Sequence, residues 1–311
     1  AVYVRNKIRA CESAGVQSFS YHLPSHTGTA TLVDLIEQLN QDANVDGVLV
    51  QLPLPPHVDM TQVLEAISPH KDVDGFHLYN VGGLVTGNTV FSPCTPYGVV
   101  KLLESQNICI EGQNVVVVGA SNIVGKPMAL MLMHRNATVA ICHAKTRDLA
   151  QFTILADILV VAAGQPGLIG AQMVKRGAVV IDVGINRLPD GRITGDVVFD
   201  EVKERASHIT PVPGGVGPMT VTMLLVNTIA SAERRAGILP KGYCAALKEH
   251  ASAVFLYAPG SVIIGTTIAI AVVQRRYQGR RRAFGDPDRD HRCVRLPCPL
   301  RRKDQPRCLM S

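Results

Sequence analysis

The 311-residue sequence predicts a doubly wound α/β protein built as two lobes, and three observations predict it. Short β-branched runs recur along the chain, helix-like stretches separate them, and one four-valine run passes through a glycine turn into a helix. The runs are "VDGVLVQL" (45–52), "NVVVVGA" (114–120), "ATVAIC" (137–142), "DILVVAAG" (157–164) and "AVVIDVG" (178–184). Each is largely apolar on consecutive positions rather than alternating ones, which is what strands buried on both faces require. Helices are expected over 2–14, 31–40, 59–67, 97–105, 124–134, 198–206 and 218–235, with Thr31, Asp59 and Pro218 as first-turn or cap residues. Two prolines interrupt the pattern in Ser92-Pro93-Cys94-Thr95-Pro96 and mark a boundary. The expected division is an N-terminal lobe over 1–95 completed by the helix 218–236, a dinucleotide-binding lobe over 96–217, and a tail over 237–311.

Composition narrows the function classes. The chain is 47% hydrophobic and 18% charged with no Trp, as a soluble globular protein is. Its net charge of +6 is unevenly placed: residues 275–311 carry 12 Lys and Arg against 4 Asp, a net +8, so residues 1–274 are −2. The body therefore offers no electrostatic reason to bind nucleic acid. The eight cysteines (Cys11, Cys94, Cys109, Cys142, Cys244, Cys293, Cys298, Cys308) contain no Cys-x-x-Cys, so neither a disulfide framework nor a metal site is expected and a reducing compartment is.

Both ends of the chain are unusual. It opens at Ala1 inside a helix-like stretch, so an upstream portion with any targeting signal is expected; the compartment is read as cytoplasmic, with the mitochondrial matrix as the alternative. The uncharged stretch 251–274, followed by Arg275, Arg276 and Arg280 to Arg282, has the flanks of a membrane span, although Pro259, Gly260 and Gly265 interrupt it. The competing expectation is an apolar, Arg-rich tail without a packed partner. The closing Cys308-Leu309-Met310-Ser311 fits the spacing of a prenylation signal.

Six segments carry chemistry. In "GASNIVG" Gly119 permits a tight turn and close backbone approach, and the helix that follows offers free N–H groups to a pyrophosphate; Ser121 replaces the usual second glycine, and Gly125 falls four residues later. The next strand ends without the acid that grips a ribose in NAD sites and supplies His143, Lys145 and Arg147 instead, which favours the 2′-phosphate of NADP over NAD. Tyr3 and Lys7 share a helix face, and a lysine in an apolar cleft is a candidate acid or base. Gln51 stands at the carboxyl end of its strand, stopped by Pro53 and Pro55, where its amide can orient the lysine. In "KDVDGF", Asp72 and Asp74 either form an Asx turn around Gly75 or turn one carboxylate to the cleft to hold an amino-pyrimidine edge. Finally "TPVPGGVGPMT" (210–220) is a rigid loop whose backbone donors suit a flat ligand, leading to a helix near Pro218.

These segments, together with "YVRNK" (3–7), "GVLVQLPLP" (47–55), "KDVDGFH" (71–77), "PCTP" (93–96), "VVGASNIVGKP" (117–127), "VIDVGIN" (180–186), "GDV" (195–197) and "ITPVPGGVGPMTV" (209–221), closely resemble the bifunctional methylenetetrahydrofolate dehydrogenase/cyclohydrolase family over about residues 1–236. The resemblance implies a two-lobed, dimeric enzyme with folate between an N-terminal α/β lobe and a Rossmann lobe. It implies that 5,10-methylenetetrahydrofolate gives a hydride to NADP, and that the methenyl product is hydrolysed to 10-formyltetrahydrofolate in the same cleft. By motif position Lys7 is the essential proton-relaying residue, Tyr3 packs along the folate, Gln51 places Lys7, and Asp74 holds the pterin. Val50, Gln51, Leu52, Pro213, Gly214, Gly215, Val216 and Gly217 line the folate site, and Gly119, Ala120, Ser121, Gly125, Ala144, Lys145 and Ile185 contact the dinucleotide. Two departures qualify this. The family carries a further helix and strand before "YV", so an edge of the N-terminal sheet is expected to be uncovered and Lys7 poorly held. Ala144 stands where relatives carry Ser or Arg for the 2′-phosphate, leaving Ser121, Lys145 and Arg147 to compensate. The same residues also fit a non-catalytic dinucleotide-binding protein or a dehydrogenase without hydrolase activity.

Overall fold

The computed structural model describes the backbone of residues 2–238 and 268–275 and the side chains of 7–238. In chain order the main elements are α1 (Val2–Ser13), β1 (Val16–Leu23), α2 (Thr29–Gln41), β2 (Gly47–Val50), α3 (Met60–Ala66), α4 (Leu78–Thr86), α5 (Cys94–Ser105), β3 (Asn114–Val118), α6 (Gly125–Met133), β4 (Thr138–Cys142), α7 (Leu149–Thr153), β5 (Ile158–Val161), β6 (Val179–Asp182), β7 (Asn186–Arg187), β8 (Ile193–Thr194), α8 (Phe199–Val202), β9 (His208–Ile209), α9 (Val216–Arg235) and β10 (Ile268–Arg275).

The valine-rich runs pair as a five-stranded parallel sheet in the order β4-β3-β5-β6-β9, with Val116 opposite Ala140 on one side and Leu159 on the other. Alternate residues of these runs enter two cores. Val115, Val117, Ile158, Val160 and Ile181 face Leu103, Met128, Leu132 and Leu224, while Val116, Val118, Leu159, Val161 and Val180 face Ile169, Val174 and Val202. Burial on both faces is the reason these runs are apolar without alternation.

The N-terminal residues build a second, smaller sheet in the order β1-β10-β2. β10 runs antiparallel to both neighbours, from Val16 opposite Arg275 to Leu23 opposite Ile268, and from Gly47 opposite Val273 to Val50 opposite Ile270. This corrects two expectations. The sheet edge expected to lie open is paired, and part of the tail expected to have no packed partner, or to span a membrane, is a strand of that sheet. The strand's backbone donors and acceptors find partners on both sides, as an interior strand's must. No described helix is long and apolar enough to cross a membrane, and the expectations for 239–267 and 276–311, the prenylation pattern included, lie outside the described residues.

Other boundaries shift for local reasons. The alternating "VQSFSYHL" of β1 has no continuous apolar run, and the Gly82-Gly83 pair lowers the helix propensity of α4, so neither element was expected. Asp59 caps α3 as expected, its Oδ1 accepting from Thr61 N (3.0 Å) and Gln62 N (3.1 Å), but Gly28 rather than Thr31 begins α2. The 198–206 helix is only the short α8, and α5 and α9 start at Cys94 and Val216, ahead of the expected 97 and 218.

Buried polar side chains tie α9 to the N-terminal residues. Asn227 Nδ2 donates to Val73 O (2.8 Å) and Ser92 O (3.0 Å), and Ser231 Oγ to Asp46 O (2.6 Å) and His70 O (2.9 Å). Arg235 pairs with Asp46 at 2.9 Å. Lys71, buried, donates to the carbonyls of Leu39 (2.9 Å), Asn40 (2.6 Å) and Asp42 (2.8 Å), satisfying the open carboxyl end of α2.

Candidate functional site

Lys7 is only 5% exposed on α1, four residues before Cys11, whose side chain packs with Val16, Leu225 and Ile229. That spacing turns both side chains to one helix face. Burial pushes the Cys11 thiol up to about 11, with Lys7 opposing the shift. Lys7 Nζ donates to Gln51 Oε1 at 3.4 Å. Gln51 follows β2 directly, and its Nε2 donates to Leu52 O at 2.9 Å, which fixes the amide so that its oxygen faces the lysine. Tyr3 lies one helical turn before Lys7, and its side chain is outside the described residues.

The two acids of "KDVDG" divide the roles that the sequence left open. Asp72 is buried and makes the turn: Oδ1 accepts from Gly75 N (3.1 Å), and Oδ2 from His77 N (2.8 Å) and Asn80 Nδ2 (2.8 Å). Asp74 is half-buried and sits with Lys7 and Cys94. Burial raises its carboxyl above the ordinary range, with Lys7 pulling it down and Asp72 pushing it up. Burial and the Asp74 carboxylate push the Cys94 thiol well up, so it stays protonated beside Asp74, and its Sγ donates to Val73 O at 3.3 Å. Cys94 and Asn227, which holds the Val73 and Ser92 carbonyls behind Asp74, were not expected at the site. Cys94 lies in the "PCTP" motif without its role being legible there, and Asn227 reaches the backbone beside Asp74 through the packing of α9.

Of the loop residues, Pro213 and Gly214 are exposed and Gly215 and Gly217 half-buried. Val216 is a correction: it begins α9 and its side chain is buried in the core, so its backbone alone can line a site. Val50 likewise turns its side chain to the core of α2 and α3. Thr95 and Thr220 share a hydrogen bond of 3.0 Å that joins the starts of α5 and α9.

The second cluster lies at the carboxyl ends of β3 to β6, where open parallel sheets bind ligands. Gly119 has φ +123°, and a Cβ there would fall 2.2 Å from Ala162 O, so only glycine fits. Gly125 is needed for packing of the turn, since its Cβ would fall 1.9 Å from Gly119 O. Ser121 Oγ accepts from Val124 N (3.1 Å) and Gly125 N (3.4 Å), which bridges the turn into α6 and leaves the hydroxyl proton for an anion. Gly119 N donates to Cys142 O at 2.9 Å, so this turn adjoins the end of β4. There His143 N donates to Thr146 Oγ1 (3.0 Å) and Lys145 N to His143 Nδ1 (3.1 Å), a braced turn on which His143, Ala144, Lys145 and Arg147 are all exposed. Ile185 is 63% exposed after β6. A glycine turn without side chains, a helix amino end, a free hydroxyl and exposed cations form a donor set that fits a phosphorylated dinucleotide. Among the described residues no group of three His, Cys, Asp or Glu is placed to hold a metal.

Such a sheet and turn, in one chain with a second set of acid, amide and amine groups, define the class of two-part enzymes that bind a dinucleotide and a second substrate. Residues 1–74 match the tetrahydrofolate dehydrogenase/cyclohydrolase catalytic domain and residues 93–236 the NAD(P)-binding domain of the same family. The bifunctional protein FolD of Nitrosospira multiformis is 59% identical over 233 residues, covering 75% of this chain and 81% of that one. The solved bifunctional FolD dehydrogenase/cyclohydrolase of Campylobacter jejuni is 54% identical, with a TM-score of 0.74 over 75% of this chain and 83% of that one. The Trypanosoma brucei dehydrogenase-cyclohydrolase, solved with NADP and an inhibitor, is 42% identical with a TM-score of 0.73, covering 76% and 82%. The chain belongs to the tetrahydrofolate dehydrogenase/cyclohydrolase family.

Proposed function

We propose that this protein is a bifunctional one-carbon enzyme: it oxidises 5,10-methylenetetrahydrofolate with NADP and hydrolyses the methenyl product to 10-formyltetrahydrofolate. The observation that carries the reading is the meeting of Lys7, Gln51 and Asp74, from three separate segments, in a protein whose other sheet ends in a dinucleotide turn. Bound NADP supplies the hydride acceptor. The carbon that loses hydride becomes a methenyl cation; water adds to it, one proton leaves, and one ring C–N bond breaks to give the formyl group. Lys7 Nζ handles that proton, with Gln51 Oε1 holding it in place. Asp74 accepts hydrogen bonds from the amino-pyrimidine edge of the pterin, and Tyr3 packs along it. The backbone of Leu52 and of Pro213 to Gly217 lines the folate, and Gly119, Ala120, Ser121, Lys145 and Ile185 contact NADP, with Ala144 contributing only backbone.

The working division is a folate lobe over 1–95 completed by the helix 218–236, with an NADP lobe over 96–217. The compartment we infer is the cytoplasm, in keeping with the thiols of Cys11, Cys94 and Cys142. The active form we infer is a homodimer. β4 is an edge strand, and Ile141, Phe152, Ile154 and Leu155 beside it are exposed, Leu155 by 64%. Leu155→Arg is expected to convert a dimer to a monomer in light scattering, and a monomeric unaltered chain would remove the dimer.

The activity is tested by absorbance with 5,10-methylenetetrahydrofolate, following reduced cofactor and methenyl product separately. Lys7→Ala is expected to abolish hydrolysis, so that the methenyl species accumulates or the combined reaction stops. Unchanged hydrolysis in that variant would remove the role given to Lys7.

A further inference from the structure

Asp196 is wholly buried, directly behind the exposed backbone at the carboxyl ends of β5 and β6. Its Oδ2 accepts from Ala163 N (2.7 Å) and Gly164 N (2.9 Å), the two exposed residues that follow β5. Its Oδ1 accepts from Asn186 Nδ2 (2.7 Å), next to exposed Ile185. A second buried carboxylate fixes the first. Asp182, the last residue of β6, accepts from Gly184 N and Asp196 N through Oδ1 (3.0 Å each) and from Val197 N through Oδ2 (3.0 Å). The chain leaves room for the pair: a Cβ on Gly184 would fall 2.4 Å from Asp196 Oδ1, and one on Gly195 1.8 Å from Asp182 Oδ2. Two carboxylates in series therefore run from the sheet to the surface segments, and Ala162 O, at the root of one of them, is what the Gly119 turn packs against.

Burying a carboxylate is costly unless donors surround it, and here every donor comes from a segment at the ligand-binding end of the sheet. A role confined to stability would be served by apolar packing at this depth. We propose that Asp196 is a positioning residue for the dehydrogenase half of the reaction: its carboxylate sets the backbone of 163–164 and the 184–186 segment at the geometry in which NADP is held. This rests on the placement of NADP at the Gly119 end of the sheet. Hydrolysis needs no dinucleotide, so the second activity of the same molecule is an internal control for fold and folate binding.

The experiment uses the full chain and the variants Asp196→Ala, Asp196→Asn and Asn186→Ala. Dehydrogenase kinetics with NADP, hydrolysis of 5,10-methenyltetrahydrofolate without dinucleotide, and calorimetric NADP binding are measured on each. Asp196→Ala is expected to lower dehydrogenase kcat/KM for NADP about 100-fold, the scale of a misplacement near 1 Å, while hydrolysis stays within about twofold. Asn186→Ala, which removes one bond and leaves the carboxylate, is expected to cost about tenfold. Asp196→Asn is expected to recover most of the loss: one amide oxygen still accepts from Ala163 N and Gly164 N, and Asn186 can turn its own oxygen to the new NH2 group. Equal loss of both activities, or NADP binding and turnover unchanged in Asn186→Ala and Asp196→Asn together with a failure of Asp196→Ala to fold, would overturn the proposal. An unaltered chain that binds NADP without turnover would count against the enzyme reading alone, and the ratio of NADP dissociation constants between it and Asn186→Ala would still decide the role of Asp196.

Discussion

The two sheets of this protein are completed in opposite ways. In the five-stranded sheet the strands β3, β4, β5 and β6 come from one stretch of chain, each joined to the next by a short crossover. In the smaller sheet β1 and β2 are parallel to one another yet do not touch, and the strand between them, β10, arrives from far down the chain after α9. The first sheet depends on local connections and two apolar faces. The second depends on closing a long loop, an entropic cost that its ladder and the helices α2 and α3 must offset.

The largest test of this contrast is Val272→Pro. Val272 pairs with Phe19 on one side and Val48 on the other, and a proline in a central strand removes a ladder donor and distorts the backbone. A loss of about 3 kcal/mol or more is expected in the folate half, by analogy with proline in a helix interior. Hydrolysis should fall with it while NADP binding survives; equal loss of both would show that the two sheets do not differ in this way. The reciprocal change is Gly119→Ala, where the Cβ meets Ala162 O at 2.2 Å and the φ of +123° is unfavourable. A cost of about 1–3 kcal/mol is expected, with NADP affinity lost and dinucleotide-free hydrolysis kept. Hydrolysis lost in parallel would mean that the strain spreads beyond the NADP end.

The smallest effect concerns pH. Asp74 has a carboxyl raised above its ordinary value of 3.8 by burial, so it takes up a proton at a higher pH than an exposed aspartate. As pH falls through that raised value, the KM for folate should rise, and Asp74→Asn should flatten the profile without moving the KM for NADP. The matching stability change has the opposite sense. The folded state holds this proton more tightly than the unfolded chain, so stability declines as pH rises from 3.8 to the raised value. A profile of folate KM identical in Asp74→Asn would remove Asp74 from the pterin.

Much of this was legible in residues alone because it is local. Consecutive apolar positions required strands buried on both faces, and the Gly119 turn before α6 required a backbone that only glycine allows. Asp59 capped its helix as its sequence position indicated. What was not legible depended on partners remote in sequence. Residue chemistry did not separate the two acids of "KDVDG", although the family motif pointed to Asp74; the donors Asn80 and His77 give the turn to Asp72 and leave Asp74 beside Lys7 and Cys94. Val216 read as a loop residue because two glycines precede it, yet the core of α5 and α9 draws it into a helix.

The sequence by itself determined the doubly wound sheet, the glycine turn after β3, and the residue types able to handle a proton, because periodicity, glycine stereochemistry and side-chain ionisation are properties of short segments. Tertiary structure alone decided that residues 268–275 join the N-terminal sheet, that Cys94 sits with Asp74, and that Asp196 lies behind the backbone after β5 and β6. A strand's neighbour, a buried amine's acceptor and a buried carboxylate's donors are chosen by which groups must be satisfied once water has been excluded, and that choice exists only in the folded chain.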